Sequence, residues 1–183
     1  MLVAGVDEAG RGPLAGPVVA AAVVFPEGYC NPDIKDSKKL SSKKREQLAE
    51  IIKRDALSWS IVAVGHRRID KLNILRASLL AMSLAVKRVH ADFVLVDGNQ
   101  AINIEIPQET IVKGDAKVVQ ISAASILAKV WRDHLMVVLD KKYPGYNFSK
   151  HAGYPTALHR TAIISQGPSP VHRKTFRGIK EFS

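Results

Sequence analysis

The first third of the chain alternates short apolar runs with polar segments, a pattern typical of β-strands joined by turns. Runs rich in valine and alanine predict strands from Leu2 to Val6 and from Val18 to Phe25, and SWSIVAVG predicts a third strand. The polar segment PEGYCNPDIKDSKKL between the second and third strands predicts a loop. After this loop, apolar residues recur at helical spacing, which predicts a helix capped by Ser41 or Ser42.

The middle of the chain changes to the period of an α-helix. RRIDKLNILRASLLAMSLAVKRVH predicts one long helix, whose apolar stripe consists of Leu72, Leu75, Leu79, Met82 and Val86. DFVLVDG then predicts a fourth strand, and shorter strand-like stretches follow around Ile104 and at TIVKGD.

The last part of the chain is mainly helical. One helix is predicted from Val118 to Lys141, and GYPTALHRTAIISQGPSP predicts a separate short helix that Gly167-Pro168 ends. Strands followed by alternating strands and helices indicate an α/β fold, with a mixed sheet flanked by helices. We therefore expect a main α/β domain over residues 1–142, with a small C-terminal helical extension packed on it over residues 143–183.

Composition gives the first indication of a partner. The 183 residues include 27 Lys and Arg against 17 Asp and Glu, a formal net charge of +10. Such an excess favours a polyanion, most often nucleic acid, although a charge that only maintains solubility is the alternative. Cys30 is the single cysteine, which excludes an internal disulfide. A reducing cytoplasm is therefore the expected compartment. No apolar run is long enough to span a membrane, and the N-terminus lacks the basic lead of a secretory signal.

Four acidic residues stand beside predicted strand ends. Asp7 and Glu8 interrupt an apolar run, Asp97 follows FVLV, and Asp115 follows IVKG just before a helix. Ligands and catalytic groups collect at the strand ends of α/β sheets, so these distant carboxylates can converge. Consecutive strand residues point to opposite faces. We therefore expect Asp7 on the strand and Glu8 on the turn that Gly10 to Pro13 makes.

Carboxylates that converge need a positive partner, because they repel one another and raise each other's pKa. A hard divalent cation such as Mg²⁺ removes that repulsion, and a pair of such ions can promote phosphoryl displacement. The alternative is that these acids are turn or cap residues, since Asp-Gly and Gly-Asp are common in turns. That alternative is favoured for Asp97 or Asp115 alone, whereas the apolar context of Asp7 and Glu8 favours a function.

Seven motifs then occur in order along nearly the whole chain: GVDEAGRGPLAGPVV, DSKKL, LVDGN, VKGD, ISAASILAKVWRD, HAGYPT and HRKTF. Together they resemble the type 2 ribonuclease H family, the bacterial ribonucleases HII. The resemblance implies a ribonuclease H-like fold and an endonuclease that hydrolyses the RNA strand of RNA–DNA hybrids. It also implies metal-assisted cleavage on the 5′ side of single ribonucleotides embedded in duplex DNA, and hence a role in ribonucleotide excision repair.

The same resemblance assigns roles to individual residues. It places the catalytic metal site at Asp7, Glu8, Asp97 and Asp115, with Mg²⁺ or Mn²⁺ as the expected ion. The remaining substrate-binding residues that it implies are Gly10, Arg11, Gly12, Lys38, Lys39 and Tyr154.

The implied contacts with substrate are of three kinds. Gly10, Arg11 and Gly12 resemble the loop that probes the 2′-hydroxyl, and a glycine backbone can approach a sugar closely. Tyr154 is similar to a tyrosine that packs on the sugar of the adjoining deoxynucleotide. Lys38 and Lys39, and basic residues near Arg173 and Lys174, resemble phosphate contacts. Without the resemblance, each lysine is better interpreted as a solvated surface charge and Tyr154 as a rim aromatic.

The expected partner is an RNA–DNA hybrid or a duplex DNA that contains a ribonucleotide. No membrane partner is expected, and the protein is expected to be monomeric. A non-catalytic nucleic-acid-binding module is the alternative from another class. It accounts for the net charge and for Tyr154, but not for acids at three strand ends. A dinucleotide-binding loop is disfavoured, because Gly10-x-Gly12-x-x-x-Gly16 leads into a valine-rich segment and not into a clear helix.

Overall fold

Five strands form one mixed sheet in a computed structural model, which describes residues 1–35 and 37–182. The strand order is β3-β2-β1-β4-β5, with β1 antiparallel to β2 and parallel to β4. Strands β2 and β3 are antiparallel, and β4 and β5 are parallel. The strands are β1 Val3–Ala9, β2 Val18–Val24, β3 Ser58–Val64, β4 Phe93–Asp97 and β5 Gln108–Ile111. The predicted α/β class with a mixed sheet is thereby confirmed.

Strand β2 shows why the sheet is covered on both faces. All seven of its valines and alanines are buried. Because side chains alternate across a strand, Val18, Ala20, Ala22 and Val24 belong to one core cluster, and Val19, Ala21 and Val23 to a second. The first cluster includes helix residues 77–86, and the second includes residues from the helices at 42–55 and 119–142.

The helices are α1 Ser42–Asp55, α2 His66–Leu72, α3 Ile74–Val86, α4 Val119–Lys142, α5 Phe148–His151 and α6 Ala157–Gln166. The single long helix predicted for residues 67–90 was wrong, because Asn73 divides it into α2 and α3. Asn73 has a φ of 71°, and its side chain caps α3 by accepting from the Arg76 backbone amide. Asparagine tolerates this left-handed conformation and caps helices well. The predicted stripe was also partly wrong, because Leu75 is exposed whereas Ala77, Ala81 and Ala85 are buried.

Two strand predictions also need correction. The stretch around Ile104 lies outside the strands, although Ile104 still packs against the core as a partly buried residue. The strand predicted at TIVKGD begins earlier, at Gln108, and ends at Ile111. The residues Gly114–Ala116 instead form a 3₁₀ turn before α4. Apolar content alone therefore located the core here but not the strand.

Residues after α4 pack against the start of the chain through a third core cluster. In this cluster, Leu14 and Ala15 pack together with Tyr146, Phe148 and Ile163. An isolated antiparallel bridge also joins Ala15 to His172. The division into residues 1–142 and 143–183 stays a prediction. Across the described part of the chain, the structure contains no helix with the length and apolar character that crossing a membrane requires.

Helix α4 approaches β1 most closely at Gly5. A Cβ atom placed on Gly5 would lie 2.3 Å from the backbone carbon of Gln120 and 2.4 Å from the nitrogen of Ile121. These are backbone atoms of a buried helix, so they cannot move aside as a flexible side chain would. The absence of a side chain at Gly5 therefore sets the spacing between α4 and the sheet.

We expect Gly5→Ala to lower the free energy of unfolding by about 2–3 kcal/mol or more, because overpacking a core forces backbone shifts. Urea unfolding followed by circular dichroism measures this change. Gly65→Ala is the matched control, since no atom lies within 4 Å of its Cβ position and its φ is −70°. Equal stability of the two variants would show that the packing of α4 on β1 is looser than described.

Candidate active site

A cleft opens at the end of the sheet where the parallel strands β1, β4 and β5 have their C-terminal residues. Pairing between β1 and β4 stops at Val6 and Val96, whereas β1 stays paired with β2 as far as Ala9. Strands β1 and β4 therefore separate at the positions that carry the acidic residues. The cleft of about 280 Å³ is lined by Asp7, Glu8, Ala9, Gly10, Arg11, Gly12, Ser37, Lys38, Asp97, Ser125, Lys129 and Tyr154.

Glu8 lies on the strand and not on the turn, which corrects the sequence prediction. Both Asp7 and Glu8 belong to β1, where they pair with Ala21 and Ala20 of β2. The chain turns only at Gly10, whose φ is 93°. Both carboxylates still line one cleft, because β4 no longer pairs with this part of β1.

Burial and mutual repulsion define the electrostatics of the two adjacent acids. Burial raises the pKa of Asp7 well above its ordinary value, and the charges of Glu8 and Asp97 raise it further. Burial also raises the pKa of Glu8, although the guanidinium of Arg11 opposes this effect. The Arg11 Nη1 atom lies 3.5 Å from Glu8 Oε1. Removing water from like charges is costly, so this cleft favours a cation.

Asp97 and Asp115 meet at the end of β4. The Asp97 Oδ1 atom accepts hydrogen bonds from the Gly114 amide at 2.7 Å and from the Asp115 amide at 3.3 Å. Burial raises the pKa of Asp97, and the nearby Asp115 raises it further, whereas those two amides lower it. Asp115 is buried, and its Oδ2 atom lies 3.4 Å from Lys38 Nζ. Asp115 is not part of the cleft lining, but it acts on Asp97 and its carboxylate reaches Lys38, which does line the cleft.

The donor set fits a hard divalent cation. It consists of carboxylate oxygens, which Mg²⁺ prefers, and Mg²⁺ commonly keeps several waters when only a few carboxylates bind it. One oxygen of Asp7 and one of Asp97 already accept backbone amides, which leaves the second oxygen of each for other ligands. Among the described residues, no three or more His, Cys, Asp or Glu side chains stand close enough to enclose an ion unaided. The arrangement therefore suits an ion that is completed by water or substrate oxygens.

Two buried arginines shape the loop beside these acids. Arg173 donates to the carbonyl oxygens of Gly10, Arg11 and Gly16 at 2.6, 2.9 and 3.0 Å. Burial lowers the pKa of Arg173 to about 9, so its charge persists at neutral pH. The phosphate contact expected near Arg173 was therefore wrong for this residue, because its side chain is fully buried in the protein.

Arg132 supports the same loop from helix α4. It donates to the carbonyl oxygens of Pro17 at 3.0 Å, Ala15 at 3.1 Å and Ala152 at 2.8 Å. A Cβ atom on Gly10 would lie only 2.1 Å from Arg132 Nε. Gly10 is thus required both by its positive φ and by the guanidinium packed against it.

The predicted substrate-binding residues fall into two groups. Gly10, Arg11, Gly12, Lys38 and Tyr154 all line the cleft, whereas Lys39 lies outside this lining. Tyr154 is 40% exposed, and its ring lies against the loop, because a Cβ atom on Gly12 would be 3.4 Å from Tyr154 Cε1. The Lys129 side chain also approaches Tyr154, with its Nζ atom 5.9 Å from the centroid of the ring.

Sequence reasoning assigned no chemistry to Ser125 and Lys129, yet both line the cleft. Ser125 hydrogen-bonds with Ser37 at 2.9 Å, and its hydroxyl lowers the pKa of Asp7 against the effect of burial. The missed signal is helical spacing, because positions 125, 129 and 132 share one face of α4. That face contributes a hydroxyl, an ammonium group and the guanidinium of Arg132 to the site.

Comparison with known proteins gives consistent matches over the whole fold. The family model described as Ribonuclease HII matches residues 4–179. A Ribonuclease HII of Geobacter metallireducens is 53% identical over 181 residues, which cover 98% of this chain and 85% of that protein. The crystal structure of ribonuclease H2 from Pyrococcus horikoshii superposes with a TM-score of 0.84 and 27% identity, covering 100% of this chain and 97% of that one.

A more distant structure extends the likeness of the fold. Bst-RNase HIII in complex with Mn²⁺ matches with a TM-score of 0.70 and 17% identity, over 99% of this chain and 68% of that chain. At this identity the likeness concerns the fold alone. The predicted ribonuclease H-like architecture is confirmed by these structures.

We expect Arg173→Met to lower the free energy of unfolding by about 3 kcal/mol, because it leaves three loop carbonyls without their charged donor. Lys174→Met is the matched control and should change stability by less than about 0.5 kcal/mol, as exposed substitutions usually do. Denaturant titration of both variants measures the difference. If Arg173→Met were as stable as the control, the guanidinium would not be what holds the loop.

Proposed function

This chain belongs to the ribonuclease HII family, and we propose that its carboxylate cleft is the catalytic centre. The protein is a ribonuclease H, which hydrolyses the RNA strand of RNA–DNA hybrids and cleaves duplex DNA at embedded ribonucleotides. The observation that carries the proposal is the separation of β1 from β4, which brings Asp7, Glu8 and Asp97 into one cleft beside the Gly10–Gly12 loop.

Activity of this kind depends on a divalent metal ion, and we assign its ligands to Asp7, Glu8, Asp97 and Asp115. Either Mg²⁺ or Mn²⁺ suits these oxygen donors. When bound, such an ion supplies Lewis-acid stabilisation of charge on the phosphate and lowers the pKa of a bound water. The Glu8 amide orients the Asp7 carboxylate, and the Gly114 and Asp115 amides orient that of Asp97.

Recognition of the ribose is assigned to the loop and to Tyr154. The Gly10-Arg11-Gly12 backbone can approach a sugar edge closely, where the 2′-hydroxyl distinguishes RNA from DNA. The half-exposed ring of Tyr154 lies beside this loop and packs on the sugar of the adjoining deoxynucleotide. Cleavage on the 5′ side of the ribonucleotide follows if these two contacts set the register of the strand.

Binding of the duplex backbone is assigned to Lys38 and Lys39 within a strongly basic protein. Lys38 is well placed, because its side chain is 82% exposed and its ammonium group reaches the acidic cleft. We also propose that the enzyme works as a cytoplasmic monomer in ribonucleotide repair. In this proposal, residues 1–142 form the catalytic domain and residues 143–183 form the extension that contributes Tyr154.

A non-catalytic nucleic-acid-binding module gives no reason for placing like charges together. Such a module needs cations and stacking surfaces, and repulsion between buried carboxylates would only weaken its fold and its affinity. Catalysis gives those carboxylates a purpose, since a divalent cation and a phosphate both enter the same site.

We expect Asp7→Asn to reduce cleavage of a duplex with one ribonucleotide by at least about a hundredfold, the scale of losing one electrostatic catalytic group. Hybrid binding should persist. The free energy of unfolding without metal should not fall, because the substitution removes a buried charge that the like charges of Glu8 and Asp97 repel. Gel assays with Mg²⁺ or Mn²⁺ measure cleavage. Asp33→Asn, which changes an exposed carboxylate, is the control, and near-normal turnover by Asp7→Asn would exclude the assigned role.

We expect Lys38→Ala to weaken duplex binding and to reduce the slope of log K against log salt by about 0.7–0.9, the value for one phosphate contact. Fluorescence anisotropy at several salt concentrations measures the slope. Lys53→Ala is the matched control, because Lys53 lies in the last turn of helix α1, which leads to the start of β3 at the end of the sheet away from the cleft. An unchanged slope for Lys38→Ala would mean that this ammonium group contacts no phosphate.

A further inference from the structure

Three histidines form a cluster next to Tyr154, and two of them are buried. The ring of His159 stacks on that of His151 with centroids 4.4 Å apart, and Phe148 packs edge-on against His159. His159 and His172 are fully buried, and their Nε2 atoms lie 3.0 Å from each other. None of the roles assigned above uses these side chains.

The hydrogen bonds fix the tautomer of each ring in the His159–His172 pair. The Ser169 backbone amide donates to His172 Nδ1 at 2.8 Å, so that atom carries no proton and His172 Nε2 carries it. His172 Nε2 therefore donates to His159 Nε2, which must be the acceptor. The proton of His159 is then on Nδ1, which donates to the Tyr154 carbonyl oxygen at 2.9 Å.

The result is a directional chain from Ser169 through His172 and His159 to Tyr154. A proton added to either ring would place two N–H groups against each other. This series of hydrogen bonds therefore requires both histidines to be neutral. Burial lowers the pKa of each to about 4, which agrees with that requirement. The other charged or titratable groups that act on the pair are His151, Arg160 and His66, and each disfavours its protonation.

This series of hydrogen bonds ends at the backbone of Tyr154, from which the ring projects. The Tyr154 amide donates to the His151 carbonyl at 2.9 Å, and the Tyr154 carbonyl accepts from the Thr156 amide at 2.8 Å as well as from His159. Both ends of this residue are therefore anchored. The direction of its ring toward the Gly12 backbone depends on those anchors.

His172 and Arg173 are neighbours in sequence but hold different parts of the site. His172 leads through His159 to Tyr154, while Arg173 binds the Gly10 and Arg11 carbonyls. The Arg173 amide also donates to the Leu14 carbonyl at 2.8 Å, which ties this segment to the loop. One two-residue segment is thus linked by hydrogen bonds both to the tyrosine and to the loop.

We propose that His159 and His172 are positioning residues, which hold Tyr154 at a fixed distance from the Gly10–Gly12 loop and so determine selectivity for a ribonucleotide–deoxynucleotide junction. This inference rests on the substrate role proposed for Tyr154. It predicts that the pair acts only through Tyr154, and that its loss affects single embedded ribonucleotides more than long hybrids.

The test is a double-substitution cycle that combines His159→Leu with Tyr154→Ala. We expect each single variant to lower kcat/KM on a duplex with one ribonucleotide by about tenfold, since small misplacements of binding groups are costly. The double variant should lose no more than Tyr154→Ala alone, because non-additivity reports a shared pathway. His159→Asn should recover most of the activity, since its amide nitrogen can replace Nδ1 as the donor to Tyr154.

A second pair of variants carries the test if His159→Leu does not fold. His172→Gln keeps a donor near the Nε2 position, whereas His172→Asn is too short to reach His159. We expect the Gln variant to retain the ratio of single-ribonucleotide to long-hybrid cleavage and the Asn variant to lose about tenfold in that ratio. Thermal unfolding of each protein gives the folded fraction with which rates are normalised.

The outcomes separate the inference from the proposed function. If Tyr154→Ala leaves junction cleavage unchanged, the role proposed for Tyr154 is wrong and the inference falls with it. If Tyr154→Ala is impaired while folded His159→Leu or His172→Asn keeps wild-type selectivity, only the positioning role is wrong. Additive losses in the double variant would equally overturn it, because they would mean that the histidines act independently of Tyr154.

Discussion

Repulsion among carboxylates at the end of one strand pair is the constraint on which the rest of the site depends. Asp7, Glu8 and Asp97 lie in one cleft, and burial together with their neighbours' charges raises the pKa of each. Evolution could have replaced such residues with apolar ones at a gain in stability. In the proposed function a divalent cation converts this repulsion into attraction, which is what makes the cost of burying the acids useful.

The surroundings of the cleft are correspondingly rigid. Two buried guanidinium groups, from Arg132 and Arg173, bind carbonyl oxygens of the loop that follows β1, and Gly10 fits between loop and guanidinium because it lacks a side chain. The histidine pair binds the backbone of Tyr154, whose ring lies beside that loop. Charged and polar side chains thus serve two distinct ends: the acids face the cleft, while the buried arginines and histidines hold the backbone around it. Pre-organisation of this kind favours selective catalysis, since groups already in place need not be ordered by the substrate.

Much of this could be predicted from the sequence, because hydrophobic period and strand-end acids are local signals. Strand positions, the mixed sheet and the placement of Asp97 at a strand end follow from such patterns. What the sequence could not reveal was non-local. Glu8 remains in the strand because β2 pairs with it beyond the last β1–β4 contact, and Arg173 is buried because distant loop carbonyls receive its donors. The break at Asn73 did have a local signal, since asparagine favours both a positive φ and a helix N-cap, but the apolar period outweighed it.

The central claim, that distant carboxylates share a divalent cation, is tested most directly by anomalous diffraction from crystals of the protein grown with Mn²⁺. We expect a manganese peak in the gap between β1 and β4, at a bonding distance of about 2.0–2.3 Å from oxygens of Asp7 and Asp97. Crystals whose manganese lies elsewhere, or whose cleft stays free of metal at saturating Mn²⁺, would contradict it.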